Sequence, residues 1–394
     1  MPARRPRMPR RWTAILGLAA CSFAGCAVVG PISQGVPPSR HRTVEPLEDG
    51  YGDIAGVIHV HTDGYSHDAD GKMADAIRVA NAQGLDYLII TEHGTLQPLR
   101  DGWQGRHGAV LVLIGMEIST VSGHYVALNV TKEINPHGLT AQQVIDAVNR
   151  QGGFGFIAHP YFKKRRWTDW TVQGFTGIEV YNVAHDAMDE NRLRIAMWSV
   201  ALPADPVYLS ILDRPYDPLA KWDELIREQG KIVGIGSTDA HEVHIAGVKL
   251  APYEMMFKMI RTHLLLPHGA EVDAQTVYAA LRQGHAYLSI DLVRDARGFT
   301  FMADDGRQVL GIMRHEVVLT PGLRLTAVLP GPADLSLFRN GERIAQTTDR
   351  IWHVQIDKPG AYRLEAMRHA RPWIFSNPIY VKAAQEVPGT NALP

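Results

Sequence analysis

Histidine and carboxylate side chains recur in this 394-residue chain at the places where short apolar runs stop. The stretch GVIHVHTDGYSH, residues 56–67, sets His59, His61 and His67 within nine positions behind such a run. Glu92 and His93 follow DYLIIT, Glu117 lies near the end of AVLVLIGMEI, and His124 opens HYVALNV. His159 follows FGFIA, and Asp239 and His241 follow KIVGIGST. Residues two apart on a strand share a face, so His59 and His61 can grip one cation. Neutral imidazole suits zinc, iron and related ions, and carboxylates extend the range toward manganese. Setting Glu92 aside, nine candidates exceed what one tetrahedral zinc needs and suffice for two or three ions. Glu117, with two carboxylate oxygens, can bridge neighbouring ions. Clustered metals generate hydroxide at neutral pH and clamp the oxygens of an in-line displacement at phosphorus. The chemistry implied is phosphoester hydrolysis. Surface histidines would not track strand ends, and core histidines would lie inside the apolar runs.

The elements that must carry these groups are an alternation of strands and helices. IAGVIHV, DYLIIT, AVLVLIGMEI, FGFIA, GIEVYN and KIVGIGST read as strands. KMADAIRVANAQG, TAQQVIDAVNRQGG and PLAKWDELIREQG read as amphipathic helices between them. Such alternation predicts an α/β fold with parallel strands. Parallel strands deliver their ends to one rim, where barrels and open α/β sheets build their sites.

The motifs, in order, are His59-Val60-His61-Thr62 with Ser66-His67-Asp68, then Thr91-Glu92-His93, then Gly115-Met116-Glu117 with Gly123-His124. Ala158-His159-Pro160 and Ser237-Thr238-Asp239-Ala240-His241 complete the set. From about residue 53 to 290 the chain resembles the polymerase and histidinol phosphatase (PHP) superfamily of metal-dependent phosphoesterases. Most members have Asp at the position of Glu92, and some have Asp where His67 falls. The resemblance implies a distorted (β/α)7 barrel of TIM type, expected over residues 52–295. It implies two or three divalent ions (Zn, Mn or Fe). His59 and His61 would share one with Asp239 and a bridging Glu117, His124 and His159 would hold a second beside Glu117, and His67, His93 and His241 a third. Glu117, Asp239 and His241 are the expected catalytic groups.

Two other classes fit parts of this pattern. Metal-dependent amidohydrolases also use an HxH strand, but usually bridge two ions with a carboxylated strand-end Lys, a place Glu117 takes here. A non-catalytic metal-binding lipoprotein would need few rim groups beyond the ligands.

Asn182 and His185 follow GIEVYN and are candidates to contact substrate oxygens. The run Lys163, Lys164, Arg165, Arg166 follows the His159 strand end, and Lys163 and Arg165 are candidates to gather a phosphate there. Residues 161–218, with Trp167, Trp170 and Trp198, are long for a barrel connection and are expected to include a lid or specificity insertion. His244 and His263 belong to no motif and are expected to be structural.

Beyond residue 300 the helical pattern gives way to alternating runs between turn signals, which predicts a small antiparallel β-sandwich over 300–384, followed by a tail over 385–394. Asn340-Gly341 marks a hairpin within it. At the other end, MPARRPRMPRR and the short apolar WTAILGLAA stop at Cys21. This resembles a lipoprotein signal over 1–21, with Cys21 lipidated and Cys26 as the alternative. Residues 22–51, rich in proline, are expected to be a flexible tether. The expected location is the bacterial cell envelope, facing the periplasm, and Ser22 after Cys21 points to the outer membrane. Both cysteines lie in the leader, so no disulfide is expected in the folded part. With 40 Lys and Arg against 41 Asp and Glu, no nucleic acid partner is expected. A small-molecule phosphoester substrate and a membrane reached through the lipid anchor are the expected partners, with no obligate protein partner.

Overall fold

The computed structural model describes residues 50–184, 204–245 and 248–384. Cys21, Cys26, His185 and Trp198 lie outside the described residues. The chain runs β1 (Tyr51–Ile58), α1 (Met73–Ala82), β2 (Tyr87–His93), the one-turn α2 (Gln97–Arg100), β3 (Gly105–His107), β4 (Val110–Thr120), β5 (Gly123–Leu128), α3 (Ala141–Arg150), β6 (Phe154–Ile157) and β7 (Gly177–Asn182). It continues through α4 (Ala204–Ser210), α5 (Tyr216–Gln229), β8 (Val233–Ser237), β9 (Val243–Ile245), β10 (Val248–Leu250), α6 (Tyr253–Met259), β11 (Arg261–Pro267), α7 (Ala274–Gln283) and β12 (Ala286–Ser289). The remainder is strand: β13 (Thr300–Asp304), β14 (Val309–Ile312), β15 (Glu316–Val318), β16 (Arg324–Val328), β17 (Asp334–Arg339), β18 (Glu342–Thr347), β19 (Ile351–Gln355), β20 (Gly360–Arg368), β21 (Arg371–Ser376) and β22 (Ile379–Lys382).

Local chemistry starts the helices where the sequence signals them. Thr140 and Gln143 form a capping box on α3, which buries Ala141, Val144, Ile145 and Val148 along one face. Along β2, Leu88 and Ile90 join the helix-side core while Tyr87 and Ile89 join a second core. That is the period of a strand buried on both faces.

The strands of the first part follow the order β12-β11-β1-β2-β4-β5-β6-β7-β8. The β1–β2, β2–β4, β6–β7 and β7–β8 pairs are parallel. The β4–β5 and β5–β6 pairs are antiparallel. Because β5 runs backwards, its first residues lie at the same rim as the ends of its parallel neighbours, which puts His124 beside the strand-end ligands.

The pairing shows no closed ring of the kind expected of a (β/α)7 barrel: among the described residues β8 has a ladder with β7, and a single bridge, Val60↔Ala240, links the residues after β1 and β8. The other edge of β8 is met by side chains instead. The Asn377 amide accepts from Gly234 N at 2.9 Å and donates to Gly234 O at 2.9 Å, acting as a one-residue strand. Thr262 Oγ1 does the same for Gly236, at 3.0 and 2.8 Å. Only at the rim do the backbones meet, where Thr238 N donates to Ile58 O at 3.1 Å and His61 N to Ala240 O at 2.9 Å.

The C-terminal strands form two layers, but not a separate sandwich. One layer is the four-stranded sheet β14-β13-β16-β19. The other continues the large sheet, because β21 pairs with β12 through Tyr287↔Ser376, Leu288↔Phe375 and Ser289↔Ile374. Phe301, Leu325, Leu335, Leu364 and Trp373 fill the space between layers together with Leu265 and Tyr287 from the first part. At the β17–β18 turn Asn340 and Gly341 take φ of 52° and 88°, the left-handed pair that a tight hairpin requires.

Candidate metal centre

Glu117, near the end of β4, is buried at the middle of the rim. Its Oε1 lies 2.7 Å from His124 Nδ1, 3.0 Å from His159 Nε2 and 3.4 Å from His59 Nε2. Its Oε2 lies 2.8 Å from His93 Nδ1 and 3.6 Å from His61 Nε2. The two oxygens therefore face two different sets of imidazoles. Asp239 Oδ1 stands across from it, 3.5 Å from His59 Nε2 and 3.4 Å from His61 Nε2. Three of these residues have left-handed backbones, His59 at φ 69°, His159 at 24° and Asp239 at 51°. Such conformations cost about 1–3 kcal/mol each and persist where the surroundings impose them, commonly at functional sites.

A second layer of buried carboxylates orients the first. Glu179 on β7 receives His59 Nδ1 on Oε1 at 2.6 Å, and His159 N and Asn182 Nδ2 on Oε2 at 2.7 and 2.9 Å. With Nδ1 so engaged, His59 turns Nε2 toward the centre. Glu92 accepts from Thr62 N, Thr62 Oγ1 and Ser66 Oγ at 3.1, 2.6 and 2.6 Å. Ser66 Oγ in turn lies 3.1 Å from His61 Nδ1, so His61 also presents Nε2.

The electrostatics follow from burial and from these neighbours. Burial lowers the His59 pKa, but Glu179, Asp239 and Glu117 outweigh it and hold the ring well above its ordinary value. Burial opposes the His93 charge too, yet Asp68 and Glu117 raise it to about 10. His61 is pushed down to about 3, chiefly by burial. Burial pushes the Glu117 carboxyl up, but the surrounding imidazoles, His59 foremost, hold it well below the usual range. Asp239 is lowered in the same way, against its burial, by His59, His61 and His241.

The rim brings eight of the nine expected ligands together, in four trios whose donor atoms lie within 4.8 Å of one another. They are His61, His93 and His241; His59, His159 and Asp239; His59, His61 and Glu117; and Glu117, His124 and His159. His67 is the exception: it is exposed and stands outside the trios, its ring 5.7 Å from that of His93. The neighbouring Asp68 turns inward instead, with Oδ1 3.2 Å from His93 Nε2 and 3.6 Å from His241 Nε2. The geometry thus favours Asp68 over the expected His67, and it adds Glu179, which belongs to none of the expected motifs. An acid inside the otherwise apolar GIEVYN was the available signal, since a buried carboxylate needs partners.

The substrate candidates divide similarly. A cavity of about 490 Å³ adjoins the centre at His159 and is lined by Lys163, Arg166 and Asn182 among others. Arg165 does not line it, so Arg166 takes the place expected of Arg165. The Asn182 amide nitrogen is engaged by Glu179 and, at 3.2 Å, by Ser237 Oγ. Its first role is thus to steady the second layer.

The donor set fits divalent cations. Among the described residues, His59 Nε2, His61 Nε2, His93 Nε2, Glu117 Oε2 and His159 Nδ1 are buried without a well-aligned hydrogen bond, the approaches of Glu117 Oε2 and Asp68 Oδ1 to His93 being ion-pair contacts only. Each such atom costs about 1–3 kcal/mol if left unsatisfied. Four of them belong to the side chains that converge on Glu117 and Asp239, and cations between those donors would satisfy them.

The PHP domain family matches residues 58–233, the segment that carries most of the His/Asp/Glu cluster. Over 144 residues the chain is 28% identical to the uncharacterized protein MJ1587 of Methanocaldococcus jannaschii, covering 32% of this chain and 81% of that protein. A two-domain protein from Bacteroides vulgatus containing a predicted PHP-like metal-dependent phosphoesterase aligns over 87% of this chain and 100% of its own, at 16% identity and a TM-score of 0.43. PsfC from Pseudomonas syringae aligns over 60% of this chain and 91% of its own, at 15% identity and a TM-score of 0.39.

Proposed function

We propose that this chain hydrolyses a small organic phosphoester, mono- or diester, at the rim centre, with two or three divalent ions bound. The observation that carries the reading is the buried Glu117, whose two oxygens face separate groups of imidazoles, as a bridging ligand must. His59, His61 and Asp239 would hold one ion with Glu117, and His124 and His159 a second. His93 and His241, with Asp68 or His61, would hold the third. When bound, the cations supply an activated water and neutralise charge that develops on the phosphoryl oxygens. The protein's own groups fix the geometry: Glu179 and Ser66 point His59 and His61 inward. The cavity beside His159, with Lys163 and Arg166 on its wall, is large enough for the leaving group of an organic ester and would attract an anionic one. On the leader alone, we also propose export and lipid anchoring at Cys21, which labelled palmitate incorporation in Cys21→Ala against Cys26→Ala would test.

The functional test is phosphate release from mono- and diester model substrates by protein loaded with Zn, Mn or Fe. Metal-dependent release is expected. Full metal loading without release from either ester class would overturn the assignment and favour an amide substrate or a metal-binding role.

A further inference from the structure

The wall of the cavity away from the metal rim is Pro215, Tyr216, Asp217 and Pro218, which open helix α5. That helix has Pro215 at its N-cap position and no side-chain cap to hold its start. Something else has to fix it, and strand β20 of the C-terminal layer does. Arg214 forms a two-pronged pair with Glu365, Nε to Oε2 at 2.6 Å and Nη2 to Oε1 at 2.7 Å. Two residues before Glu365 on the same strand, Arg363 clasps Asp223 in the middle of α5, at 2.8 and 2.6 Å. Arg363 Nη1 also reaches Glu365 at 2.6 Å, so one buried chain of charges, Arg214–Glu365–Arg363–Asp223, runs from the cavity wall to the helix body. Glu365 and Arg363 are each 3% exposed, so these are not loose surface pairs. The Arg214 guanidinium also lies over the Tyr216 ring at 4.7 Å, coupling the pair to a wall residue.

We propose that the C-terminal β-layer is a positioning part of the substrate cavity: through Glu365 and Arg363 it holds Arg214 and Asp223, and so the 215–218 wall against which the leaving group rests. None of these four residues touches the His/Asp/Glu cluster, so their effect falls on substrate fit and leaves the metal chemistry alone. The kinetic side of this proposal rests on the phosphoesterase reading; the structural side rests on the geometry only.

The test uses the full chain with Arg214→Met, which removes the fork and leaves Glu365 paired with Arg363. Amide hydrogen exchange over residues 211–219 should rise about tenfold, the loss of one charge-assisted pair, with the segment around His59 and His61 unchanged. KM for p-nitrophenyl phosphate should rise about tenfold with kcat within about twofold, and Arg214→Lys, with charge but no fork, should fall between. Unchanged exchange over 211–219 would overturn the proposal, as would a loss confined to kcat. If the wild-type chain turns over no phosphoester, the function proposed above fails, and the exchange measurement still decides whether β20 holds the wall.

Discussion

Glu179 is no expected metal ligand, yet it contacts two of the expected ligands, the His59 ring and the His159 backbone. Replacing it with Gln keeps the volume and removes the charge. Its Oε1 faces one ring nitrogen of His59 and its Oε2 faces two donors, His159 N and Asn182 Nδ2. A glutamine can present its carbonyl to only one of these sides, so its NH2 either confronts the donors of His159 and Asn182 or makes His59 Nδ1 the acceptor, which puts the ring proton on the metal-facing Nε2. An unsatisfied buried donor costs about 1–3 kcal/mol. If that cost falls on the ring orientation of His59, metal affinity drops about 10–100-fold, the size usual for lost outer-shell partners and worth about 1.4–2.7 kcal/mol. Competition against a chelator of known affinity, with zinc and with manganese, measures this directly. In the metal-free protein the His59 ring, which Glu179 helps hold above its ordinary pKa against burial, should titrate at lower pH by NMR. A Glu179→Gln protein that melts like the wild type and binds metal within about twofold of it would refute the orienting role.

Two further outcomes follow from the same reasoning. Asp68→Asn should weaken severalfold the ion assigned to His93 and His241, and His67→Ala should leave all metal affinities unchanged; the reverse pattern, read by metal titration, would restore His67 as the ligand. Away from the rim, the buried His263 lies 2.8 Å from Asp53 and 3.5 Å from Asp291. Burial lowers its pKa, but the two carboxylates raise it to about 9. A raised pKa gives stability that is whole below the unfolded value near 6.5 and is lost as pH climbs through about 9, here about 3 kcal/mol. The melting temperature of metal-loaded protein should therefore fall between about pH 6.5 and 9, and His263→Gln should remove most of that slope. An equal slope in the variant would contradict the assignment.

The rim was legible in the sequence because strand ends in an α/β fold converge, so residue type and position relative to an apolar run were enough to bring His59, His61, His93, Glu117, His159 and Asp239 together. His124 was found for the same reason once removed, since β5 starts where its parallel neighbours end. Loop residues lack such a period. Nothing in the run Ser66-His67-Asp68 says which side chain turns inward, and nothing in Lys163–Arg166 says that Arg166 faces the cavity. Glu179 is marked only as an acid within an apolar strand, Arg363 and Glu365 alternate with apolar residues as a solvent-facing side would, and the partners of all three are far away in sequence. The open β8 edge, sealed by Asn377 and Thr262, and the β12–β21 pairing are likewise set by long-range contacts that local patterns do not carry.

On the proposed function, these imidazoles and carboxylates hold divalent ions for the hydrolysis of a phosphoester. The most direct test is elemental analysis of the purified protein beside a phosphate-release assay, for the wild type and for a His59→Ala/His61→Ala double variant. Two or three divalent ions per wild-type chain are expected, with metal-dependent phosphate release, and loss of both release and at least one ion in the variant. Release that survives the double substitution, or a fully loaded wild type that releases no phosphate, would contradict it.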